Sequence, residues 1–174
     1  MALTRRMLCL VALVVAVVCL AACASLSVSH LESRPLGTGT SASIAMKFWR
    51  FDFTGTPSGS DFVVRGRAHP VTVDLPPWAD RVEELTLTAY LRDPAGTVLA
   101  SAQKSYSPMP LTQKTVVSFE FVLSPAGSAP GDYAVSFGYK AVYGSSKVRS
   151  ALGVKGPSPA GAVFFAGEGA LLKH

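Results

Sequence analysis

Glu84-Leu85-Thr86-Leu87-Thr88-Ala89-Tyr90-Leu91-Arg92 decides the fold. Leu85, Leu87, Ala89 and Leu91 alternate with Thr86, Thr88, Tyr90 and Arg92. In a strand, successive side chains point to opposite faces, so this period of two gives one apolar and one polar face. A helical stripe from Leu85 would also need apolar residues three and seven positions on, and those positions are Thr88 and Arg92. Asp93-Pro94-Ala95-Gly96 follows. Asp suits the first position of a type I turn, Pro presets φ at the second, and Gly suits the fourth. The chain is therefore expected to reverse there, and Thr97–Tyr106 to return as the second arm of a hairpin.

The same period extends in both directions. Ile44–Phe53, Phe62–Leu75, Lys114–Leu123, Tyr133–Tyr143 and Lys147–Val154 complete a set of seven strand candidates. In the first, the apolar phase moves from Ile44, Met46 and Phe48 to Trp49, Phe51 and Phe53, which predicts a bulge near Phe48–Trp49. His69-Pro70 predicts a kink in the second, because proline cannot donate to a ladder. No interval between strands has an amphipathic helical pattern. Short strands separated by turn signals point to an all-β, antiparallel, Ig-like β-sandwich. Tyr133, after Pro130-Gly131-Asp132, is either the hydrogen-bonded corner tyrosine of such domains or an ordinary strand aromatic. Residues 156–174, opening on Gly156-Pro157-Ser158-Pro159, are either a loose tail or an eighth edge strand.

Before the strands the chain has a different character. Arg5 and Arg6 precede the apolar run Leu8–Leu20, then Ala21, Ala22 and Cys23. A positive start, a short apolar stretch and small residues before a cut site mark a secretory signal. The run is shorter than the roughly 20 residues a membrane-spanning helix needs. The alternative is an uncleaved anchor helix from Met7 to Val28, and Ser25 and Ser27 weigh against it. Leu20-Ala21-Ala22-Cys23 resembles the bacterial lipobox. That resemblance implies a diacylglycerol on the Cys23 thiol and cleavage between Ala22 and Cys23. Two or more acyl chains hold a protein stably on a membrane. Ala24 is not the Asp that resembles an inner-membrane retention signal, which favours the periplasmic face of an outer membrane where the host has one.

The expected organisation is a signal helix over residues 1–22, a lipidated flexible tether over 23–42 and a sandwich over 43–155. A tether of that length has a mean reach of roughly 25 Å. Cys9 and Cys19 leave with the signal and Cys23 is acylated, so no thiol remains for a disulfide, a metal or catalysis. Losing Arg5 and Arg6 leaves 14 Lys and Arg against 11 Asp and Glu, a formal charge of +3. The charges are dispersed, without the basic block of a nucleic-acid binder.

A second resemblance rests on Phe62-Val63-Val64-Arg65-Gly66, on Tyr90-Leu91-Arg92-Asp93 with Gly96, and on Val117, Phe119 and Phe121. These residues resemble FxLYD-type and related Ig-like domains of bacterial envelope lipoproteins. The resemblance implies a fold and an envelope location and carries over no catalytic residue.

Chemistry-bearing motifs are scarce. His30, His69 and His174 form no metal-binding pair, and the chain contains no Asn for a calcium loop. Glu83 and Glu84 are adjacent, so on a strand they face opposite ways and make a poor acid–base pair. No cofactor and no metal are expected. Trp78, in the stiff Pro76-Pro77-Trp78 loop, is either a partner anchor or a cap on the sandwich. Arg65 and Arg67 share one strand face and either bind an acidic ligand or are simply solvated. The expected function is a membrane-anchored, non-catalytic binding or assembly module with a protein or glycan partner. The alternatives are an accessory lipoprotein of a secretion or surface machine, and an enzyme built on dispersed carboxylates such as Asp61, Asp74 and Glu120.

Overall fold

The computed structural model describes residues 25–37, 39–125, 132–153 and 162–173. The signal region, Cys23 and Val154 lie outside these residues. Among the described residues, no helix is long and apolar enough to cross a membrane.

The chain is all-β, with antiparallel strands arranged as a sandwich and, among the described residues, one short helix. Its strands are β1 (Ser25–Ser27), β2 (Arg34–Pro35), β3 (Ser41–Ala45), β4 (Trp49–Ser58), β5 (Asp61–Pro70) and β6 (Arg81–Arg92). They continue with β7 (Val98–Tyr106), β8 (Met109–Pro110), β9 (Val117–Leu123) and β10 (Ala134–Gly144). Helix α1 (Ser146–Ala151) precedes β11 (Val163–Glu168) and β12 (Leu171–Lys173). One sheet runs β11-β10-β6-β7, with β2 against β10 and β8 against β6. The other runs β3-β4-β5-β9, and β1 and β12 form a separate two-stranded ribbon.

The alternation in β6 is realised directly: Leu85, Leu87, Ala89 and Leu91 are buried, each at 1% exposure or less. Strand β9 alternates in the same way, with Val117, Phe119, Phe121 and Leu123 inward. Between the sheets the core is aromatic. Phe137 stacks on Phe51 with ring centroids 4.4 Å apart, and Phe53 meets it edge-on at 5.0 Å. Trp49 Nε1 donates a 2.9 Å hydrogen bond to the buried Tyr143 hydroxyl, so the indole N–H is satisfied inside the core. Burial pushes the Tyr143 phenol up to about 12, with the Trp49 bond pulling the other way. Gly66 faces this core, where a Cβ would run into the Asp52 carbonyl, Phe53 and the Phe119 ring. Tyr133 packs its ring on Phe62 at the edge of the cluster.

Four expectations need correction. The first strand is two strands. Its phase shift comes from a full reversal through Met46, Lys47 and Phe48, with Met46 N–H donating to the Trp49 carbonyl and Ile44 opposite Phe51. No Gly or Pro marks this turn, so it is invisible as a turn signal. The second strand stops at Pro70, where the ladder loses its donor, and Leu75 belongs to the following loop. The stretch read as a seventh strand is helix α1 instead. Its first free N–H, at Ser146, is satisfied by Asp80 from a distant loop at 2.7 Å, with the Ser146 hydroxyl on the same carboxylate at 2.6 Å. Burial raises the Asp80 pKa, but the Ser146 hydrogen bonds outweigh it and leave the group below its ordinary value.

The segment read as a tether is folded against the sandwich from Ser25 onward. Val28 and Leu31 are buried, and the Arg92 guanidinium, itself buried, donates to both of their carbonyls. Val28 N–H donates to the Gly96 carbonyl at 2.8 Å. Gly96 serves twice: its φ is +85°, and a Cβ would sit 2.6 Å from Ser29 Cα. Of the two alternatives for the C-terminal segment, the edge strand is the one found. β11 extends the larger sheet along Tyr139–Gly144, and β12 pairs with β1.

Candidate functional site

Strand polarity assigns the two ends of the sandwich. Strand β6 starts beside the Trp78 loop and finishes at the Asp93–Gly96 turn, where the segment from β1 docks. Twelve residues of strand separate these ends by about 36–40 Å. Trp78 is 42% exposed. It sits in a loop closed by the Ala79 N–H to Pro76 carbonyl bond, and Leu111 N–H bonds to the Asp80 carbonyl just beyond it. Its indole is therefore presented at the end remote from β1.

At that end Glu83 is buried, with Arg81 Nε 3.4 Å and Arg149 Nη1 3.7 Å from its carboxylate. Glu84 is exposed on the other face of β6, so the two adjacent carboxylates do point apart.

The outer face of the β3-β4-β5-β9 sheet carries most of the clustered charge. A shallow trough of about 830 Å³ lies across it, lined by Ser43, Asp52, Arg65, Arg67, His69 and Glu120 among others. Arg65 and Glu120 are opposite each other in the β5–β9 ladder. Their side chains form a two-pronged pair, Nε to Oε2 at 2.8 Å and Nη2 to Oε1 at 3.2 Å. The Arg65 hydrogen bond and charge hold the Glu120 carboxyl below the usual carboxylate range. Asp52 accepts from the Ser43 hydroxyl at 2.8 Å and lies 3.4 Å from both Arg50 and His69. Arg67 stands between Asp52 and Ser118 in the ladders and is exposed, with no hydrogen-bond or ion-pair partner among the described residues.

The expected Arg65/Arg67 pair is thus split: Glu120 engages Arg65, and the Arg67 guanidinium has no partner among the described residues. A planar fork of N–H donors on this exposed sheet face suits carboxylate or phosphate groups. The cross-strand partner Glu120 lies 55 residues from Arg65, so its engagement required the sheet register and could not be read from spacing. The carboxylates of the enzyme alternative are scattered. Asp61 opens β5 at the Ser58–Asp61 hairpin, Asp74 lies in the loop after Pro70, and Glu120 is in mid-β9. Among the described residues, no three His, Cys, Asp or Glu side chains gather to hold a metal. Comparison with family models, with curated proteins and with solved structures gave no match.

Proposed function

We propose that the protein is a lipid-anchored lipoprotein of the bacterial cell envelope whose β-sandwich is a non-catalytic binding or assembly module. One observation carries the reading: Leu20-Ala21-Ala22-Cys23 ends two residues before Ser25, the first paired residue of the folded domain. An export and acylation signal followed so closely by a folded sandwich suits a domain that works at a membrane face. Acyl chains on Cys23 supply the anchor. The charged trough around Arg67, and Trp78 at the end remote from β1, are the surfaces offered to a protein or glycan partner in the envelope. Ala24 favours the periplasmic face of an outer membrane where one exists.

Cys23→Ser tests the reading. With the hydroxyl in place of the thiol, no thioether can form. The product is expected to move from the membrane fraction to the soluble envelope fraction and to lose incorporation of labelled fatty acid. An unchanged membrane fraction and unchanged label would contradict the anchor. Turnover of an envelope substrate by the isolated chain, without a partner, would contradict the non-catalytic module.

A further inference from the structure

We infer that the β1–β12 ribbon, together with Phe165, is a lipid-facing foot that lies in the headgroup layer and sets the sandwich's orientation on the bilayer. The inference rests on the acylation of Cys23 proposed above and adds to it a surface and an orientation.

Three observations carry it. The first is chain length. Ser25 is already paired with Lys173, and only Ala24 separates it from Cys23. Two residues span at most about 7 Å, so acyl chains buried in a bilayer hold the ribbon within the headgroup layer. A tether of some twenty free residues would have allowed any orientation; the docked segment removes that freedom.

The second is exposure. Leu26 and Leu172 are cross-strand partners, at 39% and 59% exposure, and Leu171 is 59% exposed. Phe165, on the edge strand β11, is 71% exposed. Two adjoining troughs, which share Lys140 and Gly167, join Phe165 to Leu26 and Leu171. Leu26 and Leu172 share one face of the ribbon and Leu171 takes the other, so exposed apolar side chains stand on both of its faces and mark a contact site. A two-stranded ribbon is marginal in water by itself, so it gains from being covered.

The third is the charge contrast between the two outer faces. The face with the ribbon presents hydroxyl and amide groups, as in the Thr86–Ser105 and Thr88–Gln103 cross-strand pairs. The charges lining its troughs are Glu84, Lys140 and Glu168. Glu168 is already engaged by the Tyr139 hydroxyl at 2.9 Å and the Lys47 N–H at 3.2 Å. The opposite face holds Arg50, Asp52, Arg65, Arg67, His69 and Glu120. A weakly charged face bearing leucines suits the headgroup–acyl boundary, where apolar side chains settle about 5–10 Å deep. With that face down, the charged trough points away from the lipid.

The test uses the acylated full chain, extracted from membranes and returned to vesicles of phosphatidylethanolamine and phosphatidylglycerol. Once processed, the chain has no free thiol, so single cysteines at Leu172→Cys or Leu171→Cys take a nitroxide label cleanly. Val122→Cys, on the outer face of the charged sheet and 50% exposed, is the reference. On vesicle binding, collisions of the 171 and 172 labels with oxygen are expected to rise several-fold over collisions with a water-soluble nickel chelate. The 122 label stays aqueous. Labels at 171 and 172 that remain aqueous on vesicle-bound, acylated protein overturn the foot while leaving the anchor standing. Spin–spin broadening that persists in detergent, away from any bilayer, assigns the surface to a second copy and also overturns it. A purified chain lacking acyl mass overturns the anchor and the foot together.

Discussion

Phe137→Ala is expected to lower the unfolding free energy by about 3–5 kcal/mol, the range for truncating a buried phenylalanine. Phe137 is fully buried in β10, an interior strand with partners along both edges. Its ring meets Phe51 at 4.4 Å and 3° between planes, Phe53 at 5.0 Å and Phe119 at 5.4 Å. Such ring pairs contribute about 0.5–1.5 kcal/mol each beyond the area they bury. Those contacts tie the β10-β6 sheet to the β4-β5-β9 sheet, so the loss is felt on both sides. The backbone around the cavity is fixed by the β6 ladder and cannot close the space. Phe137→Leu, which keeps most of the volume, is expected to cost about 1–2 kcal/mol. Equilibrium urea unfolding measures both. A Phe137→Ala protein within about 1 kcal/mol of the parent would mean that the aromatic cluster does not join the sheets as described.

Arg92→Met is expected to cost about 3 kcal/mol, for a different reason. The methionine keeps most of the apolar stem but removes every donor. Arg92 Nη1 donates to the Val28 carbonyl at 3.1 Å and reaches the Leu31 carbonyl at 3.5 Å. Its Nε donates to the Asp93 carbonyl at 3.2 Å. A buried carbonyl left without a donor costs about 1–3 kcal/mol, and bonds from a charged donor are among the stronger ones. The local consequence is more telling than the total. The Val28 N–H, bonded to Gly96, is expected to exchange with solvent orders of magnitude faster, because the segment that carries β1 comes loose. Hydrogen exchange of Val28 and Leu31 beside the urea midpoint separates this release from a general loss of stability. Unchanged protection at Val28, with a cost below about 1 kcal/mol, would show that Arg92 does not hold the segment.

Arg92 also shows where sequence reading stops. In the alternation of β6 it occupies the polar phase, and an arginine there reads as solvent-facing. Its burial depends on carbonyls from a segment more than sixty residues away, and no local pattern announces them. For the same reason Ser25–Pro35 looked like free chain. Its buried residues Val28 and Leu31 are too few to show a period, and Leu26 stays exposed. By contrast β6 and β9 were legible, since each has one face in the core and one outside, and the Asp93–Gly96 turn carries its own chemistry. Gly96 N–H donates to the Asp93 carbonyl at 3.0 Å, the bond that closes such a turn, and Asp93 Oδ1 accepts the Thr97 N–H at 2.8 Å. Helix α1 was illegible because its N-terminal partner is Asp80, across the end of the sandwich.

The candidate surfaces were legible only in part. That Arg65 and Arg67 share an outward face follows from strand spacing. That Glu120 engages Arg65 and not Arg67 follows only from the β5–β9 register. Trp78 could be placed in a rigid loop from its prolines, but its exposure, and its place at the end of the sandwich remote from β1, needed the fold.

Intact-mass spectrometry of the chain extracted from bacterial membranes tests the account most directly. The account predicts a polypeptide beginning at Cys23, heavier than the amino-acid sequence by a diacylglycerol, with or without a further acyl group on the new amine. A chain that retains the segment before Cys23, or one that starts there with an unmodified thiol, would contradict it.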